Sequence, residues 1–106
     1  MGDKDFIAYL SPECEDRLRH SHTMRVVRLV RFCFQYEAWI GDEWMPIVRY
    51  DTAHGRPHKD LLHPNGTQSR EEFRSFTVED VMALGERDIK SNWRMYREAY
   101  EQEARS

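Results

Sequence analysis

The eleven residues from Val30 to Ile40 constrain this chain more than any other stretch. Val30, Phe32, Phe34, Tyr36, Ala38 and Ile40 alternate with Arg31, Cys33, Gln35, Glu37 and Trp39. Period two with the bulky residues on one side predicts a strand with one face on a core and the other partly wet. The strand signal begins at Met24, but Arg25, Arg28 and Arg31 interrupt it, so its first part is expected at an edge. Gly41-Asp42-Glu43 predicts a tight turn, and Trp44 to Asp51 returns antiparallel. Pro46 has no N–H to donate to a ladder, so it belongs at an edge or a bulge.

The hairpin register decides which side chains meet. A three-residue loop sets Ile40 opposite Trp44, Tyr36 opposite Val48 and Phe34 opposite Tyr50, all on the apolar face. Gln35 with Arg49, and Cys33 with Asp51, then share the other face. A two-residue loop at Gly41-Asp42 would set Phe34 beside Arg49 and Phe32 beside Asp51, burying charge against aromatic rings. The first register is therefore preferred. It aims Arg49 and Asp51 at the histidine-containing segment that follows.

The remaining elements are shorter or more polar. Phe6 to Leu10 is a small apolar cluster, either a short strand or an anchor on the core. Ser11-Pro12-Glu13 has the residues of a helix start and predicts a short helix or a turn. His20-Ser21-His22 lies in a polar run and reads as exposed linker. His58 to His63 reads as a third strand, Pro64-Asn65-Gly66-Thr67 as a turn, and Gln68 to Phe73 as a polar edge strand. Thr77 is an N-cap with Glu79 and Asp80 in the first helical turn. Val78, Met82, Ile89, Trp93, Tyr96 and Tyr100 then form one helical stripe. The stripe crosses Gly85 in phase, which predicts a single helix from Val78 to Ala104 with a kink allowed at Gly85. At 27 residues it would run roughly 40 Å. That length overhangs the sheet expected of a chain this size and leaves Tyr96 and Tyr100 for a second subunit to cover. The fold class is thus α+β: a curved antiparallel sheet of four or five strands with a long C-terminal helix on one face. The 106 residues suffice for one domain.

Composition narrows function mostly by exclusion. No apolar run approaches the ~20 residues that span a membrane. The acidic start has no apolar signal core, so a cytoplasmic location is expected. Cys14 and Cys33 are not in a Cys-x-x-Cys pair, so neither a zinc ribbon nor a disulfide framework is expected. Net charge is −3, which argues against indiscriminate nucleic-acid binding. The charge is uneven, however. From Arg17 to Arg70 there are nine Lys+Arg against five Asp+Glu, and the remainder carries seven against fourteen. A one-sided basic surface suits a phosphate-bearing partner. A solvated strand face balanced by an acidic helix explains the same pattern.

Chemistry concentrates in Arg49 to His63, RYDTAHGRPHKDLLH. Gly55 and Pro57 break this stretch into a bend that brings acid, base and cation together. His54 and His58 could serve as base and acid around one phosphodiester. Arg49 or Arg56 could stabilise charge on the phosphate, and Asp51 could orient a histidine or pair with Arg49. Tyr50, Arg56, Lys59 and His63 complete a candidate binding set. The alternative is that the histidines satisfy loop backbone groups while Arg49 pairs with Asp51. No metal site is expected, because the stretch has no cysteine and no His-Glu-x-x-His motif. No cofactor is expected either. Trp39, Trp44 and Tyr50 could stack bases beside the arginines, or simply fill a core.

At Tyr50-Asp51-Thr52, Gly55 and His58, followed by Phe76-Thr77-Val78-Glu79-Asp80-Val81 and Asp88-Ile89, the chain resembles a known family. It is similar to the small TumE-type toxins of prokaryotic toxin–antitoxin modules and related short proteins of unknown function. The likeness covers roughly Phe32 to Ile89 by order of elements. Thr52 stands where those proteins usually carry Asn, and the His-x-His often found in their loop is replaced by His58-Lys59-Asp60. The resemblance implies a toxin acting on RNA and a cognate antitoxin as partner. It carries over to Tyr50, Asp51, Gly55 and His58. Two functional expectations follow: an RNA-directed toxin, with metal-independent ribonuclease activity as its catalytic form, or a non-enzymatic interaction module that dimerises or binds through the aromatic hairpin or a sheet edge.

Overall fold

The computed structural model describes residues 2–25, 28–52 and 56–106. The elements run β1 (Gly2–Tyr9), β2 (Asp16–Arg25), β3 (Arg28–Ile40), β4 (Glu43–Asp51), β5 (His58–Leu62), β6 (Gln68–Glu72) and α1 (Val78–Ala104). The six strands form one antiparallel sheet in sequence order, so every connection joins neighbours. The α+β class with one C-terminal helix agrees with the sequence reading. The strand count is six rather than four or five.

The unanticipated strand is β2; the Phe6 to Leu10 cluster, open between strand and anchor, lies largely in strand β1. Ser11-Pro12 opens a turn rather than a helix, and the chain then returns as β2. His20-Ser21-His22, expected as linker, lies inside it. His20 sits edge-on between Phe6 (ring centroids 4.4 Å apart) and Phe34 (4.1 Å) and so takes an aromatic's place on the core side. A histidine in that slot hides the apolar alternation that would have revealed the strand.

The β3–β4 hairpin mixes both predicted registers. Phe34–Tyr50, Tyr36–Val48, Gln35–Arg49 and Cys33–Asp51 pair as the three-residue loop required. The turn itself has two residues, Gly41 and Asp42, both at positive φ (61° and 65°), the geometry that matches strand twist. Near it Ile40 pairs with Glu43 and Trp39 with Trp44, not Ile40 with Trp44. A bulge reconciles the two halves: Glu37 pairs with Pro46, Tyr36 with Val48, and the ladder skips Ile47. Ile47 and Val48 are consecutive and both buried, which a regular strand facing two environments would not allow. Pro46 sits at that bulge, where its missing N–H does least harm.

One face of the sheet carries the core. Leu18, Phe32, Phe34, Tyr36, Ala38, Val48 and Tyr50 meet Val81, Ile89, Trp93 and Tyr100 of the helix. Thr77 caps α1 through a full capping box with Asp80. The helix is continuous through Gly85. A Cβ there would lie 2.8 Å from Tyr50 Cγ, so the glycine serves close approach to the sheet rather than a break. Two carboxylates pin the helix down. Asp88 accepts from the hydroxyls of Tyr50 and Tyr96 (both 2.6 Å) and from Asn92 (2.8 Å), with Lys59 Nζ 3.4 Å away. At the other end Asp16, buried on β2, accepts from Tyr36 and from Arg97 (2.9 Å), while Arg97 also donates to the Trp39 carbonyl (3.1 Å).

The helix does not need a second subunit for cover. The 13 residues of β3 span roughly 43 Å at 3.3 Å each, the length of the helix. Tyr100 is accordingly buried, and the Tyr96 hydroxyl is held between Lys59 and Asp88. The reason for expecting a dimer through these tyrosines falls away. Among the described residues no helix is long and apolar enough to cross a membrane.

Candidate functional site

The face without the helix is a charged surface built in rows across the sheet. One row is Ile7, Arg19, Gln35, Arg49, Asp60 and Arg70; the next is Asp5, Ser21, Cys33, Asp51, His58 and Glu72. Direct cross-strand partners point the same way, so each row shares one side. Arg49, Asp51 and His58 therefore do face one space. His54 and Gly55 lie outside the described residues.

Tyr50, Lys59 and His63 belong to the opposite side, because they alternate with Arg49, Asp51, His58 and Asp60. Lys59 donates to Tyr96 and Tyr50 to Asp88, while His63 contacts Glu103 and Ser69. These three hold the helix and the last hairpin; they are not joined to the Arg49–His58 group. Arg56 is exposed, 3.7 Å from Glu72. The hairpin register already sets Tyr50 on the apolar face; Lys59 and His63 lie past the bend, where the alternation of β5 turns them to the helix side.

At the centre of the helix-free face two acids lie low and cations stand above them, while Asp5 and Glu72 at its edges are exposed. Glu37 is held by Arg17 (2.7 Å) and approached by Arg19 (3.6 Å). Gln35 donates to Glu37 and accepts from Arg49 Nε at 2.7 Å, which orients the Arg49 guanidinium. Asp60 is clasped by Arg70 through two bonds of 2.8 and 3.2 Å. The Glu37 and Asp60 side chains are only 6% and 1% exposed, whereas those of Arg19 and Arg70 are 57% and 41% exposed. Arg31, on the same side one step along, is exposed as well. Hydrogen bonding to Asp60 keeps the Arg70 guanidinium protonated more firmly than usual.

His58 is enclosed at the centre of this arrangement. Its Nδ1 is 3.2 Å from the Arg56 carbonyl, which can only accept, so Nδ1 carries a proton. Its Nε2 lies 2.7 Å from Asp51 Oδ1 and 3.5 Å from Asp60 Oδ2. The shorter contact is close in distance, but Nε2 is buried without a well-directed hydrogen bond. His58 is thus a buried link between two carboxylates. Cys33, across from Asp51, is pushed up to about 11 by burial and then by the Asp51 charge, so its thiol stays protonated and is a poor nucleophile at neutral pH. Among the described residues no group of three or more His, Cys, Asp or Glu is arranged to hold a metal ion.

Sequence reasoning missed the residues that β1 and β2 contribute. Asp5, Ile7, Arg19 and Ser21, with Cys33 and Gln35 of β3, line a hollow of about 460 Å³ beside Arg49 and Asp51. Arg17 and Arg19 are separated by one core-facing leucine, a signal that was available once Asp16–Arg25 was read as a strand.

Fold and site together define a small α+β protein: an open antiparallel sheet with one face sealed by a long helix and the other topped by arginines. The chain belongs to the family described as a domain of unknown function, DUF7718, which matches it over residues 1–106. No curated protein and no solved structure matches it.

Proposed function

We propose that the chain is a toxin-like protein directed at RNA, and that the helix-free face is where RNA is held. The observation that carries this reading is the vertical separation of charge: Arg19, Arg31 and Arg70 project outward while Glu37 and Asp60 are sunk beneath them. Such a face presents cations to a polyanion although the chain's net charge is −3. The likeness to TumE-type toxins at Tyr50-Asp51, Gly55 and His58 supports RNA as the target, implies a cytoplasmic site of action and suggests an antitoxin as partner. Metal-independent cleavage is the finer form of the reading. His58 would take the proton of a 2′-hydroxyl on Nε2, its unprotonated ring nitrogen, with Arg49 beside the phosphate, and Asp51, 2.7 Å from that nitrogen, would give way to the hydroxyl. His58 Nε2 is enclosed, so this form requires the face to open as RNA seats.

The test is binding and cleavage of a labelled single-stranded RNA, with a chelator present, by wild type, Arg19→Glu and His58→Gln. Arg19→Glu should weaken binding at least tenfold, and His58→Gln should retain binding but lose cleavage. A wild type that binds no RNA at low salt removes the reading. Inducible expression in a bacterial host that arrests growth, with the arrest lost in Arg49→Ala, supports the toxin role.

One observation favours a non-enzymatic interaction module instead. β1 is an edge strand of eight residues with an uninterrupted ladder on its inner side, and Phe6, Ile7 and Tyr9 are each about half exposed. A strand from a partner could pair there.

A further inference from the structure

We infer that the helix-free face takes unpaired rather than duplex nucleic acid, seating one nucleotide with its base on Tyr9 and its phosphate at Arg19. This rests on the RNA reading above and names the substrate class for the same face. The aromatic end of the face carries it. Tyr9, Trp39 and Trp44 all sit on the helix-free side near the β3–β4 turn, since Tyr9 pairs with Arg17, Arg17 with Glu37, and Trp39 with Trp44. Trp39 and Trp44 pack edge-to-face with ring centroids 5.4 Å apart, and the Arg17 guanidinium lies 3.9 Å above the Trp44 ring. Trp44's ring is therefore engaged within the protein. Tyr9 lies 6.5 Å from Trp44 and remains 54% exposed. A half-exposed aromatic on a sheet face costs solvation without contributing to the core, and a base is a partner that would cover it.

The spacing fits one nucleotide. Tyr9 and Ile7 are two residues apart on β1, roughly 7 Å, and Arg19 is directly across from Ile7. A phosphate at Arg19 and a base over Tyr9 are separated by about one strand step, within a nucleotide's own length. The adjoining hollow of about 460 Å³, lined by Ile7, Arg19, Ser21 and Gln35, leaves room for the sugar-phosphate at Arg19. Asp5, an exposed carboxylate in the wall of the hollow, lies on the side of Ile7 away from Tyr9 and repels phosphate there, which limits the phosphate to Arg19. Duplex RNA keeps its bases stacked inside, so it can meet the arginines but not Tyr9.

Fluorescence anisotropy with three probes separates the possibilities: a single-stranded RNA decamer, the same sequence as a duplex, and inorganic polyphosphate. The wild type should bind the single strand more tightly than the duplex. Tyr9→Ala should lose roughly ten- to a hundredfold in single-strand affinity, while Tyr9→Phe, which keeps the ring, binds like wild type. Polyphosphate affinity should be the same for all three proteins, and Asp5→Asn should tighten both the single-stranded RNA and polyphosphate. Because Tyr9 is half exposed, unchanged circular dichroism and thermal midpoint will show that the variants fold. Equal binding of single strand and duplex, with Tyr9→Ala indistinguishable from wild type, overturns the inference and leaves RNA binding intact. Failure of every RNA to bind overturns both.

Discussion

Two single residues show how opposing effects are decided in this chain. Alanine is the better helix former than glycine by about 1 kcal/mol, so Gly85→Ala ought to stabilise α1. Its Cβ would instead lie 2.8 Å from Tyr50 Cγ and 3.1 Å from Tyr50 Cβ, the inflexible root of that side chain. Overpacking costs typically ~1–3 kcal/mol, and Tyr50 is both buried and bonded to Asp88. We expect Gly85→Ala to lower the thermal midpoint by several degrees; a higher midpoint would show that the helix can lift off Tyr50. Asp88 and His20 set the response to acid. Burial alone would raise the Asp88 carboxyl, but hydrogen bonds from Tyr50, Tyr96 and Asn92, together with Lys59, hold it below the usual carboxylate range. A depressed acid stabilises the fold above its unfolded value, near ~4, and that stability is lost as pH falls through the lower folded value. His20 is held below its ordinary value by burial and then by His22. The unfolded chain therefore binds its proton first, and stability begins to fall below about pH 6.5. Urea midpoints measured from pH 8 to pH 3 should decline in two steps. Asp88→Asn should remove the acidic step and His20→Phe the one nearer neutrality; a profile unchanged by both variants would contradict these assignments.

At the scale of elements, the helix is joined to the sheet at two ends by unlike means. Its start depends on local sequence, through Thr77 and Asp80, which satisfy each other's backbone N–H groups. Thr77→Ala should cost about 1 kcal/mol, read as a shift of the denaturation midpoint with the slope unchanged. Its far end depends on a contact between residues 81 positions apart, Arg97 and Asp16. Their side chains are 19% and 4% exposed. Removing Arg97 leaves a buried carboxylate with Tyr36 as its remaining donor among these partners. Breaking a buried pair from one side costs roughly 3–5 kcal/mol, so Arg97→Ala should destabilise the protein more than Thr77→Ala does. Amide exchange should rise first over Trp93 to Ala104. The reverse order of the two variants would show that the helix end is held mainly by Trp93 and Tyr100.

The whole molecule divides its charges by face. Carboxylates on the helix side organise tyrosines and a lysine, while Glu37 and Asp60 at the centre of the open side lie under arginines. Binding of a polyanion to the open face should therefore be electrostatic in origin and salt-dependent. For a single strand, the logarithm of affinity should fall with the logarithm of salt by about 0.7 for each phosphate engaged. Arg19→Ala should reduce that slope by roughly one such step. Lys59→Ala should leave the slope unchanged, because Lys59 faces the helix. An equal effect of both substitutions would mean that RNA binds elsewhere.

Local chemistry made several of these features readable from residues alone. The apolar alternation of β3, the capping residues of α1 and the in-phase stripe across Gly85 all depend on neighbours within a few positions, and each was found where expected. The pairing of Gln35 with Arg49 and of Cys33 with Asp51 was readable too, because any other inner register would bury charge. What required the tertiary structure was everything set by distant partners. His20 behaves as a core aromatic only because Phe6 and Phe34 flank it, so β2 looked like linker. The bulge at Ile47 reconciles a two-residue turn with the inner register, and no single-strand pattern announces it. Lys59 and Tyr50 resembled site residues until helix residues 37 and 38 positions later engaged both. Exposure was likewise undecided by composition: a net-negative chain presents outward arginines because sheet geometry, through cross-strand pairs, sinks Glu37 and Asp60 beneath them.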